Sequence, residues 1–319
     1  MIIEEHRQCR AFSEQYPDFF SIHTSREVVT GNGKEVMLEF HLYDHNHDGE
    51  RLPVFGLFAG VHGLEVIGIK ILLNFIEHLL IQTQWNTGIR NLLKRVRIIG
   101  IPIVNPSGYL AKSRSNGNGV DLMRNAPVDS HRPLFFFGGQ KRSRHLPFFR
   151  GNNGLEAESQ AVIDIIRKEI WGAPFGLSFD LHSGFGNADY IWTPYAAKKG
   201  KPPNWPAYCQ IHDTLNQSIR YHKYKFEPQS TKYCASGDLW DYLYDAFLEE
   251  NQDKNRYFLP LTLEVGTWRY VWKSPISGLR LLNYFNPSKP HRFRRVIRRH
   301  VHMLTVMAQI VADWRNVFH

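Results

Sequence analysis

His62 and Glu65 stand three residues apart in "FAGVHGLEVIG" (58–68), bracketed by Gly60 and Gly63 between two apolar runs. An imidazole nitrogen and a carboxylate oxygen at that spacing can converge on one metal ion if the turn between them is tight, and glycine permits such turns. Catalytic zinc is commonly held by two histidines and one carboxylate, with a fourth position open to water. A third ligand must then come from elsewhere, and "FDLHSGFG" (179–186) offers His182, followed by small residues that leave room. Hydrolysis at such a centre also needs a base, and a cation facing the developing oxyanion. Glu264 in "TLEVGTW" (262–268) closes a very apolar run, where a carboxylate without a partner is costly. The glycine-rich stretch "LAKSRSNGNGVDLMRNAP" (110–127) supplies Arg114, Arg124 and Asn125. Two arginines in such a loop can hold an anion or can simply be solvated charges. An HxxE pair alone occurs often by chance, and the second strand-end histidine is what makes a metal site worth considering. No HExxH occurs, which excludes the helix-borne zinc protease motif.

The elements that must position these residues are legible as periodic runs. "LPVFGLFAGV" (52–61), "RVRIIGIPIV" (95–104), "PFGLSFDL" (174–181) and "YFLPLTLEV" (257–265) are continuously apolar, as strands covered on both faces are. Between them, 64–82 carries Val66, Ile69, Leu73, Ile76 and Leu80 at helical spacing, and 156–170 opens with acids that suit a helix start. Alternating strands and helices predict an α/β fold: a mixed, mostly parallel twisted sheet with helices on both faces, in one domain over 1–319. In such sheets ligands bind beyond the carboxyl ends of the strands. His62, Glu65, "NPSGY" (105–109), His182 and Glu264 all fall there.

Composition bounds the rest. The chain has 319 residues, 43 % of them hydrophobic and 13 % aromatic, enough for a sizeable core. The net charge is +9, and part of the excess sits in "KPHRFRRVIRRH" (289–300). Phe293, Ile297, Val301, Leu304, Ala308 and Val311 follow at three- and four-residue steps, so this reads as an amphipathic helix with a basic outer face. No nucleic-acid partner is expected, because no aromatic and glycine pattern of a nucleic-acid module accompanies the charge. The first residues, "MIIEEHRQCRAF", do not read as a signal peptide, and no apolar run approaches a membrane span. Cys9, Cys209 and Cys234 are sparse and odd in number, as free thiols in a reducing compartment would be, so a cytoplasmic protein with no membrane partner is the expectation. The oligomeric state is left open.

In order along the chain, the motifs are "HGLE" (62–65), "NPSGY" (105–109), "SRSNGNGVDLMRN" (113–125), "FRGNNGLEAESQAV" (149–162), "DLHSG" (180–184), "YCASGDLWDY" (233–242) and "TLEVGT" (262–267). This series resembles the zinc carboxypeptidase family, the carboxypeptidase A/B-like metallopeptidases and their bacterial murein-peptide-cleaving relatives. The resemblance implies a zinc carboxypeptidase-like (phosphorylase/hydrolase-like) fold and one zinc per chain on His62, Glu65 and His182. It implies Glu264 as the general base, Arg114 as the oxyanion cation and Asp121 as the carboxylate that orients His62. It also implies a peptide or peptide-like substrate, its terminal carboxylate on Arg124 and Asn125, with Tyr233 closing over it and Trp240 shaping the pocket floor. Two positions depart from the family's pattern. Met123 replaces an asparagine and Leu64 an arginine, both of which grip the carboxylate, so a weaker demand for a free carboxyl terminus is expected, with Arg124 carrying most of what remains. An N-acyl amino acid deacylase related to aspartoacylase or succinylglutamate desuccinylase, and a non-catalytic metal-binding relative, are the alternatives. The "YCASG" segment favours the peptidase.

Overall fold

The computed structural model of the chain describes residues 3–30, 33–46, 52–251, 255–273 and 280–318. The first two residues of the N-terminal stretch read above lie outside these. In chain order the elements are α1 (Glu4–Gln15), β1 (Phe20–Thr30), β2 (Gly33–Leu42), β3 (Val54–Ala59), α2 (Val66–Thr83), α3 (Thr87–Leu93), β4 (Arg97–Ile101), α4 (Pro106–Ala111), α5 (Ala157–Ile165), β5 (Phe175–Ser183), β6 (Tyr190–Thr193), α6 (Trp205–Ser218), β7 (Lys225–Pro228), α7 (Leu239–Glu250), β8 (Tyr257–Val265), α8 (Trp268–Trp272), α9 (Leu282–Phe285), α10 (Pro290–Ala312) and α11 (Trp314–Phe318). A π-helical turn, Ile166–Ile170, extends α5.

The eight strands form one mixed sheet in the order β1-β2-β4-β3-β5-β8-β6-β7. Its central strands β4, β3, β5 and β8 run parallel, while β2 and β6 join them antiparallel. The four apolar runs read from sequence are these four central strands. The outer strands carry more polar residues and escaped that reading.

Side-chain alternation along a strand assigns its two faces. In β5, Phe175, Leu177, Phe179 and Leu181 join the larger core, built with α1, α2, α6 and α10. Gly176, Ser178, Asp180 and His182 therefore point to the other face. In β8, Leu259, Leu261 and Leu263 likewise enter the larger core, so Thr262 and Glu264 share a face with Asp180 and His182. The second core packs α5, its π turn and α7 against Val54, Phe58 and Phe258. Strands that looked uniformly apolar thus keep their chemistry on one face only.

One expectation needs correcting. α2 is apolar and long enough to cross a membrane, and its composition reflects burial inside the protein. Ile67, Ile71, Leu72, Phe75 and Leu79 are fully buried within the larger core, which α10 also joins. α10 differs from its simple amphipathic reading too. Val296 and His300 lie at its buried centre. Arg299 turns inward to pair with buried Asp189 at 2.7 Å, beside Arg269 at the same distance and His222 at 2.8 Å. Arg292 donates to the Tyr270 carbonyl.

Candidate metal centre and its cavity

Glu65 is the residue that enters α2, yet it does not cap that helix with its side chain. The capping is done from far along the chain: Asn286 accepts from the Ile67 amide at 2.9 Å and donates to the Leu64 carbonyl at 2.8 Å. Glu65 is therefore free to turn toward the strand ends. The turn before it requires Gly63, because a Cβ there would lie 1.9 Å from the Gly108 carbonyl carbon. One Glu65 oxygen lies 2.8 Å from His62 Nδ1, and the other lies 3.1 Å from His182 Nδ1. The Ser183 amide also donates to Glu65, at 2.8 Å. The parallel register of β5 and β8 sets His182 directly beside Glu264.

The far nitrogens of both histidines face carboxylates. His62 Nε2 donates to Asp121 Oδ1 at 3.1 Å, and His182 Nε2 lies 2.7 Å from Asp180 Oδ2. A carboxylate against Nε2 keeps the proton there and leaves Nδ1 as a lone pair. The two Nδ1 atoms sit only 3.1 Å apart with both Glu65 oxygens beside them. Lone pairs and a carboxylate converging in a buried space repel one another unless a cation lies among them. The donor set suits zinc, which takes imidazole nitrogen and carboxylate oxygen. Without a metal, protons serve the same end. Burial opposes charge on His182, but Asp180 and Glu65 hold its pKa well above the usual histidine range. Burial would likewise raise Glu65, but His62 and His182 hold it far below the ordinary carboxylate value. Among the described residues a second cluster, Glu39, His41 and Glu169, has similar spacing, but Glu169 is already paired with Arg97 and with Lys168.

The space in front of these groups is a cavity of about 510 Å³ that Glu65, Arg114, Arg124, Tyr233 and Glu264 all line. Burial lifts the Glu264 carboxyl to about 8, assisted by the negative charge of Glu65. Arg114 Nε donates to Asp121 Oδ2 at 2.8 Å, one guanidinium nitrogen comes within 3.7 Å of Glu65, and the group lies over the Phe148 ring. Asp121, fully buried, thus ties Arg114 to His62. Burial would raise its carboxyl, but Arg114 and His62 hold it well below the usual range. Arg124 is held by the carbonyls of Met123 and Phe137, at 2.9 and 3.3 Å. Gly237 makes this possible, since its φ is +80° and a Cβ would meet the Arg124 carbonyl oxygen at 1.8 Å. Apart from Ser183 and Gly184 the remaining lining is apolar: Leu134, Phe137 and Phe148, and Phe185, Trp268, Leu281, Tyr284 and Phe285.

Two sequence readings change here, those of Trp240 and Asn125. Trp240 does not line this cavity. It lies buried, its ring tilted against Phe58, and its Nε1 donates to Asp180 Oδ2 at 2.9 Å. Asn125 does not face the cavity either, because its amide binds the Arg150 and Gly154 carbonyls and the Glu156 amide. Met123 is packed in the second core, and Leu64 is buried with its backbone tied to Ser113 and Asn286, so neither presents a side chain to the cavity. Sequence reasoning also missed Asp180, although a carboxylate two positions before a strand-end histidine shares its face. The walls from α8 and α9 carried no motif and were not foreseen.

Comparison with known proteins places the chain in a family. A family model described as zinc carboxypeptidase matches residues 6–266. The catalytic chain of rat carboxypeptidase N (Rattus norvegicus) is 31 % identical over 216 residues, which are 62 % of this chain and 44 % of that protein. Mouse carboxypeptidase A4 (Mus musculus) is 26 % identical over 245 residues, 70 % of this chain and 57 % of that one. The chain therefore spans about half the length of these curated relatives. Among solved structures, carboxypeptidase A from Helicoverpa armigera superposes with a TM-score of 0.71 at 20 % identity, covering 95 % of this chain and 71 % of that one. Thrombin activatable fibrinolysis inhibitor does so with the same score at 18 % identity, covering 97 % and 73 %.

Proposed function

Because this chain belongs to the zinc carboxypeptidase family, we propose that it hydrolyses the C-terminal peptide or peptide-like amide bond of its substrate, with one zinc held by His62, Glu65 and His182. The observation that carries this reading is the convergence of two lone-pair nitrogens and a carboxylate, with Glu264 and Arg114 on the same cavity. Zinc bound there would polarise the scissile carbonyl and make a water acidic enough to attack at neutral pH. Asp121 and Asp180 fix the histidine tautomers that such binding needs. Glu264 is half-buried with its Oε2 buried and without a hydrogen bond among the described residues; with the charge of zinc beside it favouring its ionised form, it takes the proton of the attacking water and returns it to the leaving amine. Arg114 faces the carbonyl oxygen as negative charge develops, locked by Asp121 so that it needs no reorganisation. Arg124 takes the terminal carboxylate of the substrate, and Tyr233 closes against it. With Met123 and Leu64 turned into the core, Arg124 is left as the principal carboxylate group. We read the sheet and its two helical layers as one catalytic domain. The free thiols of Cys9, Cys209 and Cys234 suit a cytoplasmic site of action.

The test is metal analysis combined with a substrate panel. Purified protein should carry about one zinc per chain, and His182→Ala should lose most of it. Peptides with a free carboxyl terminus should be cleaved faster than their amides, and N-acyl amino acids slowest. Preference for N-acyl amino acids would instead establish the deacylase reading. A zinc-loaded protein inert on the whole panel would support a non-catalytic relative.

A further inference from the structure

The cavity mouth carries an apolar rim that the chemistry inside it does not require. Residues 130–155 include Leu134, Phe135, Phe136, Phe137, Leu146 and Phe148, together with Arg132, Lys141, Arg142, Arg144 and Arg150, and no Asp or Glu. Phe135 is 82 % exposed, and Leu134, Phe136, Phe137 and Leu146 are exposed as well. Arg132, Lys141, Arg142 and Arg144 are exposed around them, whereas Arg150 turns inward to Asp129. Trp268 and Trp272, one helical turn apart on α8, and Leu281 are also exposed, with Trp272 at 71 %. Leu134, Phe137, Trp268 and Leu281 line the same cavity, so the two groups form one rim.

This rim is built. Phe136 and Phe148 have φ of +69° and +62°, a backbone region that bulky side chains avoid and that persists only where surroundings enforce it. The Leu134 amide donates to the Cys234 carbonyl, and the Ser236 amide donates to the Gly138 carbonyl. The Gln140 side chain binds the carbonyls of Ser143, Leu146 and Pro147 and the amides of Arg142 and Ser143. The rings of Phe136, Phe137 and Phe148 pack on one another with centroids 5.1–5.9 Å apart. A loop fixed at this many points presents Phe135 to solvent in a single arrangement.

We propose that this rim is a docking face for an anionic lipid bilayer, placing the cavity mouth at the membrane surface. Exposed aromatic and aliphatic side chains ringed by Arg and Lys match the interface of a bilayer, where apolar groups enter the acyl boundary and cations meet anionic headgroups. Phe135 stands in a turn, 82 % exposed, and does not line the cavity described above, which suits a surface that deforms around it. A second copy of the chain is a poor occupant, because it would bring two basic, acid-free loops together. Peripheral docking needs no membrane-spanning helix, so it revises the expectation of no membrane partner on grounds that expectation did not address.

Sedimentation of the full chain with phosphatidylcholine vesicles, with and without phosphatidylglycerol, tests this without reference to catalysis. Binding should require the anionic lipid and weaken with added salt. Phe135→Ser should reduce it about tenfold or more, from loss of one large buried apolar group. Arg142→Ser with Arg144→Ser should reduce it by a similar factor, at about fivefold per cation. Arg295→Ser with Arg298→Ser, exposed on α10, should change it less than about twofold. All variants should keep the zinc content and melting temperature of the parent chain. Three results would overturn the proposal: equal sedimentation with neutral vesicles, binding that follows the α10 arginines and not Phe135, or a solution dimer that Phe135→Ser dissociates.

Discussion

At the scale of single residues, Glu264 and Asp180 separate chemistry from architecture. Glu264 lines the cavity but has no part in the contacts that join His62, Glu65 and His182. Glu264→Gln keeps its volume and removes the proton acceptor, so zinc should remain while hydrolysis falls by roughly 10²-fold or more. A near-parental rate, measured with metal content in the same sample, would place the base elsewhere. Asp180 makes the opposite prediction. It touches the far side of His182 and receives the Trp240 indole N–H. Asp180→Asn retains an acceptor for that indole but lessens the hold on the His182 proton. Zinc affinity, read by competition with a chelator, should drop by about 10- to 100-fold, as loss of such partners does elsewhere. Unchanged affinity would make Asp180 a packing partner of Trp240 alone.

At the scale of elements, the site depends on joints between distant segments, and this decides what a linear reading can find. Asn286 holds the start of α2 from 219 residues away, releasing Glu65 from capping. Asn286→Ala should lower stability by about 1–2 kcal/mol, the usual worth of a helix cap, and weaken zinc binding by loosening Glu65. A drop in melting temperature with zinc affinity intact would mean that His62 and Ser183 position Glu65 unaided. His62, Glu65, His182 and Glu264 were legible because each stands at the end of an apolar run, where periodicity and residue type point to the same place. Asp121 was legible only through its motif. Asn286 and the α8–α9 wall were not legible, since their roles arise from contacts that no local pattern encodes. Trp240 and Asn125 were misplaced for a related reason. Sequence position located their backbone beside the site, but burial turned their side chains away.

At the scale of the whole molecule, one buried carboxyl links folding to pH. Glu158 is fully buried near the start of α5, with Asn116 Nδ2 donating to its carboxyl. Burial lifts its pKa from 4.5 to about 7. The folded chain therefore keeps a proton that the unfolded chain releases, and Glu158 removes stability as pH rises from about 4.5 to 7. The full effect is on the order of 3 kcal/mol. Glu158→Gln abolishes the titration, so its stability relative to the parent chain should grow across that window in denaturant unfolding at pH 5 and pH 8. A constant difference would show that Glu158 is not buried as a neutral acid. The sheet order has a consequence of another kind, for the time at which the site comes into being. β8, the last strand among the described residues, lies between β5 and β6 in the interior of the sheet. While a ribosome is still short of residue 257, β5 has a bare edge of the kind that invites pairing with other chains, and β6 and β7 have no central strand to join. Glu264 and the Asn286 clasp arrive later still. The centre can therefore assemble only after β8 and Asn286 have been made, long after His62 and Glu65.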